Sequence, residues 1–302
     1  MDDRDHDHID RALGFAIPQR QARGRLVRLG STLDRVLAAH AYPPAIERLL
    51  AEALTLTALI GSTLKEAAGQ LTMQTRADAG VVRLLVCDYR DGEVRGYVEY
   101  DAERLADMPV DPSLFALFGQ GYLAITFDLA TSGERYQGIV PLDGDSMAEA
   151  AQSYFIQSEQ IPTLVRVGVA KGADGRTVAG GLLLQHLPEG ELGRERLHVR
   201  LDHPEWEHVA ALGQTVAPDE LADAALPLET LLWRLFNEDE VHVLGTTPIV
   251  RGCRCNADYY AGVLAKFPAE ERREMADADG IIQIDCHFCA QVFQVPADAV
   301  AT

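Results

Sequence analysis

The sequence is poor in the features that would place it in a membrane, on a nucleic acid or at a nucleotide. No stretch of its 302 residues approaches the roughly 18 uninterrupted apolar residues of a transmembrane helix, so no membrane partner is expected. Basic residues are scarce. Lys and Arg total 27 against 46 Asp and Glu, a net charge of −19. That excess repels phosphate backbones, and no long Lys/Arg run supplies a local basic face, so no nucleic-acid partner is expected either. A phosphate-binding Gly-x-x-x-x-Gly-Lys loop is missing. The opening, MDDRDHDHID, is the opposite of the basic-then-apolar order of a signal peptide, which gives the expectation of a cytoplasmic protein. Cysteine is rare as well, with five residues. In the cytoplasm, clustered thiols are metal-bound or redox-active more often than they are structural disulfides.

What is present reads as an ordinary globular chain, 47% hydrophobic and 24% charged, long enough for about two domains and for a core that needs no staples. Residues 1–17 read as a flexible acidic tail, in which His6 and His8 alternate with aspartates. A helix follows at PPAIERLLAEALTLTALIGSTLKEA, with Leu49, Leu50, Ala53, Leu54, Thr57, Ala58 and Leu64 near helical spacing and Pro43 and Pro44 at its entry. From Gln70 the pattern turns to short strands: LTMQTR, VVRLLVCDY, VRGYVEY, YLAITFDLA and YQGIVPL. Turn residues separate them, and Asp91-Gly92 is a hairpin signal. The helical stretch SMAEAAQSYFIQSEQ and two strands around KGADGRT complete a unit spanning 18–197. The fold class expected is α+β, with a mixed, largely antiparallel sheet.

Residues 198–244 read as a helical linker region: PEWEHVAAL, PDELADAAL and LPLETLLWRLFNED. In the last, Leu228, Leu231, Leu232 and Leu235 recur with Trp233 and Phe236 beside them. That spacing is first a core-facing helix, and second a surface exposed only under some condition.

Residues 245–302 read as a small cysteine-bearing unit. Cys253 and Cys255 lie two apart, so an extended chain turns both sulfurs to one side. The C-x-x-C turn of Cys286 and Cys289 does the same, and four thiolates are the tetrahedral complement of Zn²⁺. Between the pairs, Asn256 is placed to cap one helix, Pro268 to start a second and Gly280 to end it. Iron–sulfur ligation is the competing use of four thiols. A catalytic dithiol is a third, but CHFC lies between two strand-like segments, IIQID and AQVFQV, and not at a strand-to-helix junction. A terminal unit of this size builds little core, so its fold would lean on the metal. Cys87, alone in VVRLLVCDY, reads as a small core residue.

The C-x-C and C-x-x-C pairs, with the segments DGEVRGYV (91–98), YFIQSEQIPT (154–163) and RLFNEDEV (234–241), resemble the redox-regulated heat-shock holdases, the 33 kDa chaperonin family. The resemblance runs over nearly all the chain after the acidic tail. It departs locally at Asn256-Ala257-Asp258, where family members often carry Ser and a basic residue. It implies an ATP-independent chaperone rather than an enzyme. In the reduced state Cys253, Cys255, Cys286 and Cys289 would bind one Zn²⁺ per chain. Oxidation would release the metal, form Cys253–Cys255 and Cys286–Cys289 disulfides and unfold the small unit. Apolar surface would then open to unfolding client proteins, and the active form would be a homodimer. Two other functions compete: a thiol-disulfide oxidoreductase using Cys286 and Cys289, and a zinc-stabilised adaptor indifferent to oxidation.

Overall fold

The computed structural model describes residues 9–64, 68–172, 174–187 and 203–298. The chain opens on a hairpin, β1 (Arg11–Ile17) and β2 (Ala22–Leu29), followed by α1 (Ser31–Leu37) and α2 (Pro44–Gly61). A meander comes next: β3 (Gln70–Ala77), β4 (Val82–Arg90) and β5 (Glu93–Tyr100). Two short helices, α3 (Ala102–Ala106) and α4 (Leu114–Phe118), lead to β6 (Gly121–Asp128) and β7 (Arg135–Pro141). Helix α5 (Met147–Tyr154) ends in one π-helical turn, Phe155–Glu159, and β8 (Thr163–Lys171) and β9 (Thr177–His186) form a second hairpin. Three helices then run in series, α6 (Pro204–Gln214), α7 (Pro218–Ala222) and α8 (Leu228–Phe236). The chain returns to the sheets through β10 (His242–Pro248) and β11 (Val250–Arg251). Helices α9 (Ala257–Leu264) and α10 (Ala269–Met275) and the hairpin β12 (Ile281–Asp285) and β13 (Val292–Pro296) complete it.

The strands form a five-stranded sheet ordered β10-β1-β2-β9-β8, a six-stranded sheet ordered β11-β5-β4-β3-β6-β7, and the separate β12-β13 pair. Every pairing is antiparallel except β11 with β5. The expected α+β class with a largely antiparallel sheet is therefore what the chain adopts. The Asp91-Gly92 hairpin is also found, with both turn residues at positive φ (50° and 84°), the primed geometry that matches strand twist.

Helix α2 lies between the two sheets. From Leu49 to Gly61 nearly every residue is buried, on all sides of the helix, because β2, β8 and β9 cover one flank and β3, β4 and β5 the other. The first sheet is consequently apolar on both faces. Val27, Leu29, Ala179 and Leu183 point toward α2. Leu13, Phe15, Ile17, Leu26, Leu182 and Leu184 point away, and α6 and α8 cover them with Trp206, Val209, Leu228, Leu231, Leu232, Leu235 and Phe236. All ten residues of β9 are buried. The expected core-facing side of α8 is present, but Trp233 stands on the opposite side, 67% exposed.

Helix α7 is seated differently, backbone against backbone. A Cβ at Gly168 would lie 1.8 Å from the Pro218 carbonyl oxygen, and one at Gly180 1.9 Å from that of Leu221. These two strand glycines are the close-approach kind. Beside them Arg28, fully buried, donates to the carbonyls of Leu221 (2.9 Å), Glu220 (3.0 Å) and Leu226. Among the described residues no carboxylate lies in ion-pair contact with it, and burial, opposed by the Asp223 charge, brings its guanidinium down to about 10. Its charge is spread over two carbonyls that the end of α7 leaves unpaired, those of Glu220 and Leu221, and over that of Leu226 in the turn beyond.

Two expected boundaries move. The tail expected through Ile17 ends earlier, since Arg11–Ile17 is β1, buried over most of its length. Its Leu13, Phe15 and Ile17 supply apolar surface that the acidic opening obscures. Residues 1–8, with His6 and His8, lie outside the described residues, as does 188–202, where the helical linker was expected to begin. The boundary expected at 245 falls inside β10, which is laddered to β1 from Arg11↔Pro248 to Ala16↔His242.

Replacing Gly180 by Ala is expected to unseat α7, at a cost of about 1–3 kcal/mol for overpacking, read as a lower denaturation midpoint and faster hydrogen exchange across 204–236. Gly262→Ala on α9, whose Cβ would meet nothing within 4 Å, should leave that exchange unchanged.

Candidate metal centre

The two cysteine pairs reach one point by different backbone routes. Cys253 and Cys255 follow β11 in extended chain, and Asn256 then caps α9 by accepting the Tyr259 N–H at 2.7 Å. Cys286 and Cys289 stand in the turn between β12 and β13. The Ala290 N–H closes that turn on the Cys286 carbonyl at 2.8 Å, and the Cys286 N–H bonds the Gln291 carbonyl at 2.9 Å. All four sulfurs lie within 4.8 Å of one another. Cys253 and Cys255 are 3.1 Å apart, Cys255 and Cys289 3.3 Å, Cys253 and Cys286 3.6 Å. These distances far exceed an S–S bond of about 2.05 Å, and all five cysteines are free thiols. A convergent set of four sulfurs is able to hold a metal ion.

The chain's own groups stabilise charge on one of these sulfurs. Burial works upward on the Cys286 thiol, but hydrogen bonds to its sulfur from the Tyr260 hydroxyl and from the backbone N–H groups of Phe288 and Cys289 bring it down to about 6. Burial pushes Cys255 and Cys289 up instead. Several adjacent thiolates would need a cation among them to coexist. Cys87 belongs to none of this. It is fully buried beneath α2, and burial followed by the Asp88 charge pushes its thiol up.

The unit carrying the cysteines has little else to hold it. Leu264, Ile282, Val295 and Ala297 make up its buried apolar cluster among the described residues. It rests on the outer face of β5, where Arg95, Tyr97 and Glu99 alternate. The Tyr97 ring meets Phe288 edge-on at 5.0 Å and His287 at 5.3 Å. His287 Nδ1 lies 3.6 Å from Glu99, and the His287 carbonyl bonds His40 Nε2 at 2.8 Å. Arg254, between the first two cysteines, donates to Gln70 at 2.6 Å. The sequence marked the four cysteines and the cap Asn256, and the structure brings the four sulfurs together. It gave no reason to single out Arg95, Tyr97, His40 or Phe288. The alternation in EVRGYVEY announces a half-exposed strand, but nothing local says that the C-x-x-C turn covers it.

A family model described as Hsp33 protein matches residues 10–296. The chain is 40% identical over 288 residues to a 33 kDa chaperonin of Caulobacter vibrioides, covering 93% of each chain. It is 34% identical over 300 residues to one of Cronobacter sakazakii, covering 98% of this chain and 94% of that one. The crystal structure of a 33 kDa chaperonin, a heat shock protein 33 homolog from Thermotoga maritima, matches with a TM-score of 0.77 at 24% identity. That match covers 97% of this chain and 96% of the other, and at such identity it speaks for the fold. Among the described residues no helix is long and apolar enough to cross a membrane.

Thiol titration separates the five cysteines. With a metal chelator present, four should react with a thiol reagent in native buffer, and peptide mapping should place them at 253, 255, 286 and 289. Cys87 should react only after the core is unfolded with denaturant. Early labelling of Cys87 would contradict its burial.

Proposed function

The chain belongs to the Hsp33 family, the 33 kDa chaperonins, and from that premise we propose that it is an ATP-independent holdase gated by oxidation, an interaction protein of the cytoplasm and not an enzyme. Cys253, Cys255, Cys286 and Cys289 would hold one Zn²⁺ per chain in the reduced state. The carrying observation is the four sulfurs gathered within 4.8 Å of one another. A tetrahedral ion with Zn–S near 2.3 Å requires S···S separations of about 3.8 Å, so the three contacts given above need to lengthen by about 0.2–0.7 Å. Bound there, the ion would supply the cross-link that the four-residue apolar cluster cannot, worth about 10–16 kcal/mol in comparable small metal-dependent peptides.

The gating follows from the donors. A thiolate is a ligand, and a disulfide sulfur is a poor one. Each disulfide takes two electrons from two thiolates. A peroxide accepts them with two protons and leaves as two waters. In the family's pairing these bonds are Cys253–Cys255 and Cys286–Cys289, and the metal is lost with the ligands. The small unit would then unfold and loosen β10 and the helices α6–α8. The released face is the outer side of the first sheet, with Leu13, Phe15, Leu26, Leu182 and Leu184, each able to contribute about 1.5–3 kcal/mol when covered by apolar client surface. A bare sheet face of this kind also favours a second copy, hence a homodimer in the oxidised state. The proposed units are a core to 197, a helical linker of 198–244 and a redox unit from 245, with the strand positions of β1 and β10 amending the two ends of that division.

A thiol-disulfide oxidoreductase has less support. Cys286 is 3% exposed, and its turn joins two strands where a dithiol enzyme presents its attacking sulfur at a helix start.

The test follows zinc release and client aggregation together. Reduced protein should carry one zinc per chain and leave light scattering of heat-denatured clients unchanged. Peroxide with mild warming should release the zinc and suppress scattering of several unrelated clients. Cys286→Ser should retain zinc poorly and lose the dependence on oxidation. Oxidised protein that protects none of the clients would sink the holdase reading.

A further inference from the structure

The five strands of the first sheet carry six Lys or Arg and no Asp or Glu, in a chain of net charge −19. The second sheet shows no such bias, with six Arg against four acidic residues. The segment that covers the outer side of the first sheet is biased the other way: residues 203–240 hold nine Asp or Glu and one Arg. The two biases meet in specific contacts. Arg11 on β1 makes a two-pronged pair with Glu229 of α8, at 2.8 and 2.6 Å. Arg20, in the turn joining β1 to β2, donates to Glu205 of α6 at 2.5 Å and to Asp239, just past α8, at 2.7 Å. Beside it the Gln19 side chain donates to Glu240 at 2.6 Å. Arg28 on β2 is held by the three carbonyls described above. Arg11 and Arg28 are moreover cross-strand partners in the β1–β2 ladder, and alternation with Leu13 and Leu26 puts both on the outer face. Like charges placed opposite each other destabilise a sheet, and here acceptors on the cover offset that repulsion.

We propose that the outer face of the first sheet, once released, selects client segments that are apolar and flanked by carboxylates, and that residues 203–240 cover it by presenting the same chemistry from within the chain. The inference rests on the holdase reading above and adds to it the chemistry of the partner. When the cover leaves, its acceptors leave with it. Arg11 and Arg28 then stand at one end of the apolar strip formed by Leu13, Phe15 and Leu26, and Arg20 at the other. An apolar segment with an acid at each end reproduces the hold of α8, where Glu229 and Asp239 bracket the helix. An apolar segment with neutral flanks covers the strip but leaves the guanidiniums desolvated without an anion, and one with basic flanks is repelled. Apolar contact supplies the affinity, and the arginines supply the choice among partners.

The experiment uses the full-length oxidised protein and two dye-labelled peptides read by fluorescence anisotropy. One peptide is the chain's own segment 226–240, LPLETLLWRLFNEDE. The other carries Glu229→Gln, Asp239→Asn and Glu240→Gln, which keep the shape and remove the charge. At low salt the acidic peptide should bind at least about fivefold tighter, the order expected of a few rim ion pairs. At about 0.5 M salt, where such pairs are screened, the two should approach parity. Arg11→Gln and Arg20→Gln protein should each narrow the preference. The control Arg83→Gln, whose parent side chain is exposed and pairs with Asp101 on the second sheet's side, should match wild type. The salt comparison needs only wild-type protein, so it decides even if an arginine variant folds poorly. Client protection by the oxidised wild type tests the holdase reading alone. Equal binding of the two peptides at low salt, a preference that salt does not reduce, or one that survives both arginine substitutions overturns the proposal and leaves the holdase reading standing.

Discussion

A sheet that is apolar on both faces must be covered on both, and the architecture answers to that constraint. Strand β9 has no exposed residue along its length, a pattern usual for strands buried between two layers. On the inner side the cover is α2, a long helix enclosed by strands and unable to leave without dismantling the core. On the outer side the cover is α6, α7 and α8, short helices whose main strand contacts among the described residues are with the first sheet. The inequality of the two covers makes a conditional surface possible. The outer cover is nevertheless held with specificity: by the glycine seat under α7, by Arg28 on its final carbonyls, and by ion pairs at the rim such as Arg20 with Asp239 at 2.7 Å and Arg11 with Glu229 at 2.6 Å.

The covalent path from this cover to the cysteines passes through both sheets. After α8 the chain pairs as β10 with β1 of the first sheet, then as β11 with β5 of the second, and Gly252 still bonds the Val94 carbonyl at 3.0 Å immediately before Cys253. The cysteine unit is therefore no pendant bead on a linker. Its first cysteine pair begins where a sheet ladder ends, and its second lies against the same strand, β5. A change in the sulfurs acts on a strand edge and a strand face together.

Local signals carried much of this fold. The period and proline entry of α2, the strands from Gln70 to Leu142 with their Asp-Gly turn, the caps at Asn256 and Pro268 and the cysteine spacing all act over a few residues, so they can be read without the rest of the chain. What escaped depends on distant partners. Strand β1 follows an acidic opening and pairs with a segment near the other end. All seven residues of β10 are exposed, so it shows no buried alternation to read. Gly168 and Gly180 look like weak points in strands until the backbone of α7 lies on them, and Arg28 looks like a surface cation until three carbonyls surround it. The four cysteines stand out by their spacing, while the groups around them belong to a face of β5 that no motif marks.

The pairing of Ala16 with His242 also has a consequence in time. Strand β1 leaves the ribosome well before its outer partner. At the usual 5–20 residues per second the gap is roughly 10–50 s. The covering helices are made within the same late interval. Only from the end of β9 at His186 to the end of α8 at Phe236, roughly 3–10 s at that rate, does the nascent chain hold this sheet with one open edge and one bare apolar face, the kind of surface that the proposed function would have the finished protein offer to others. During its own synthesis this chain is thus briefly in the position of a client.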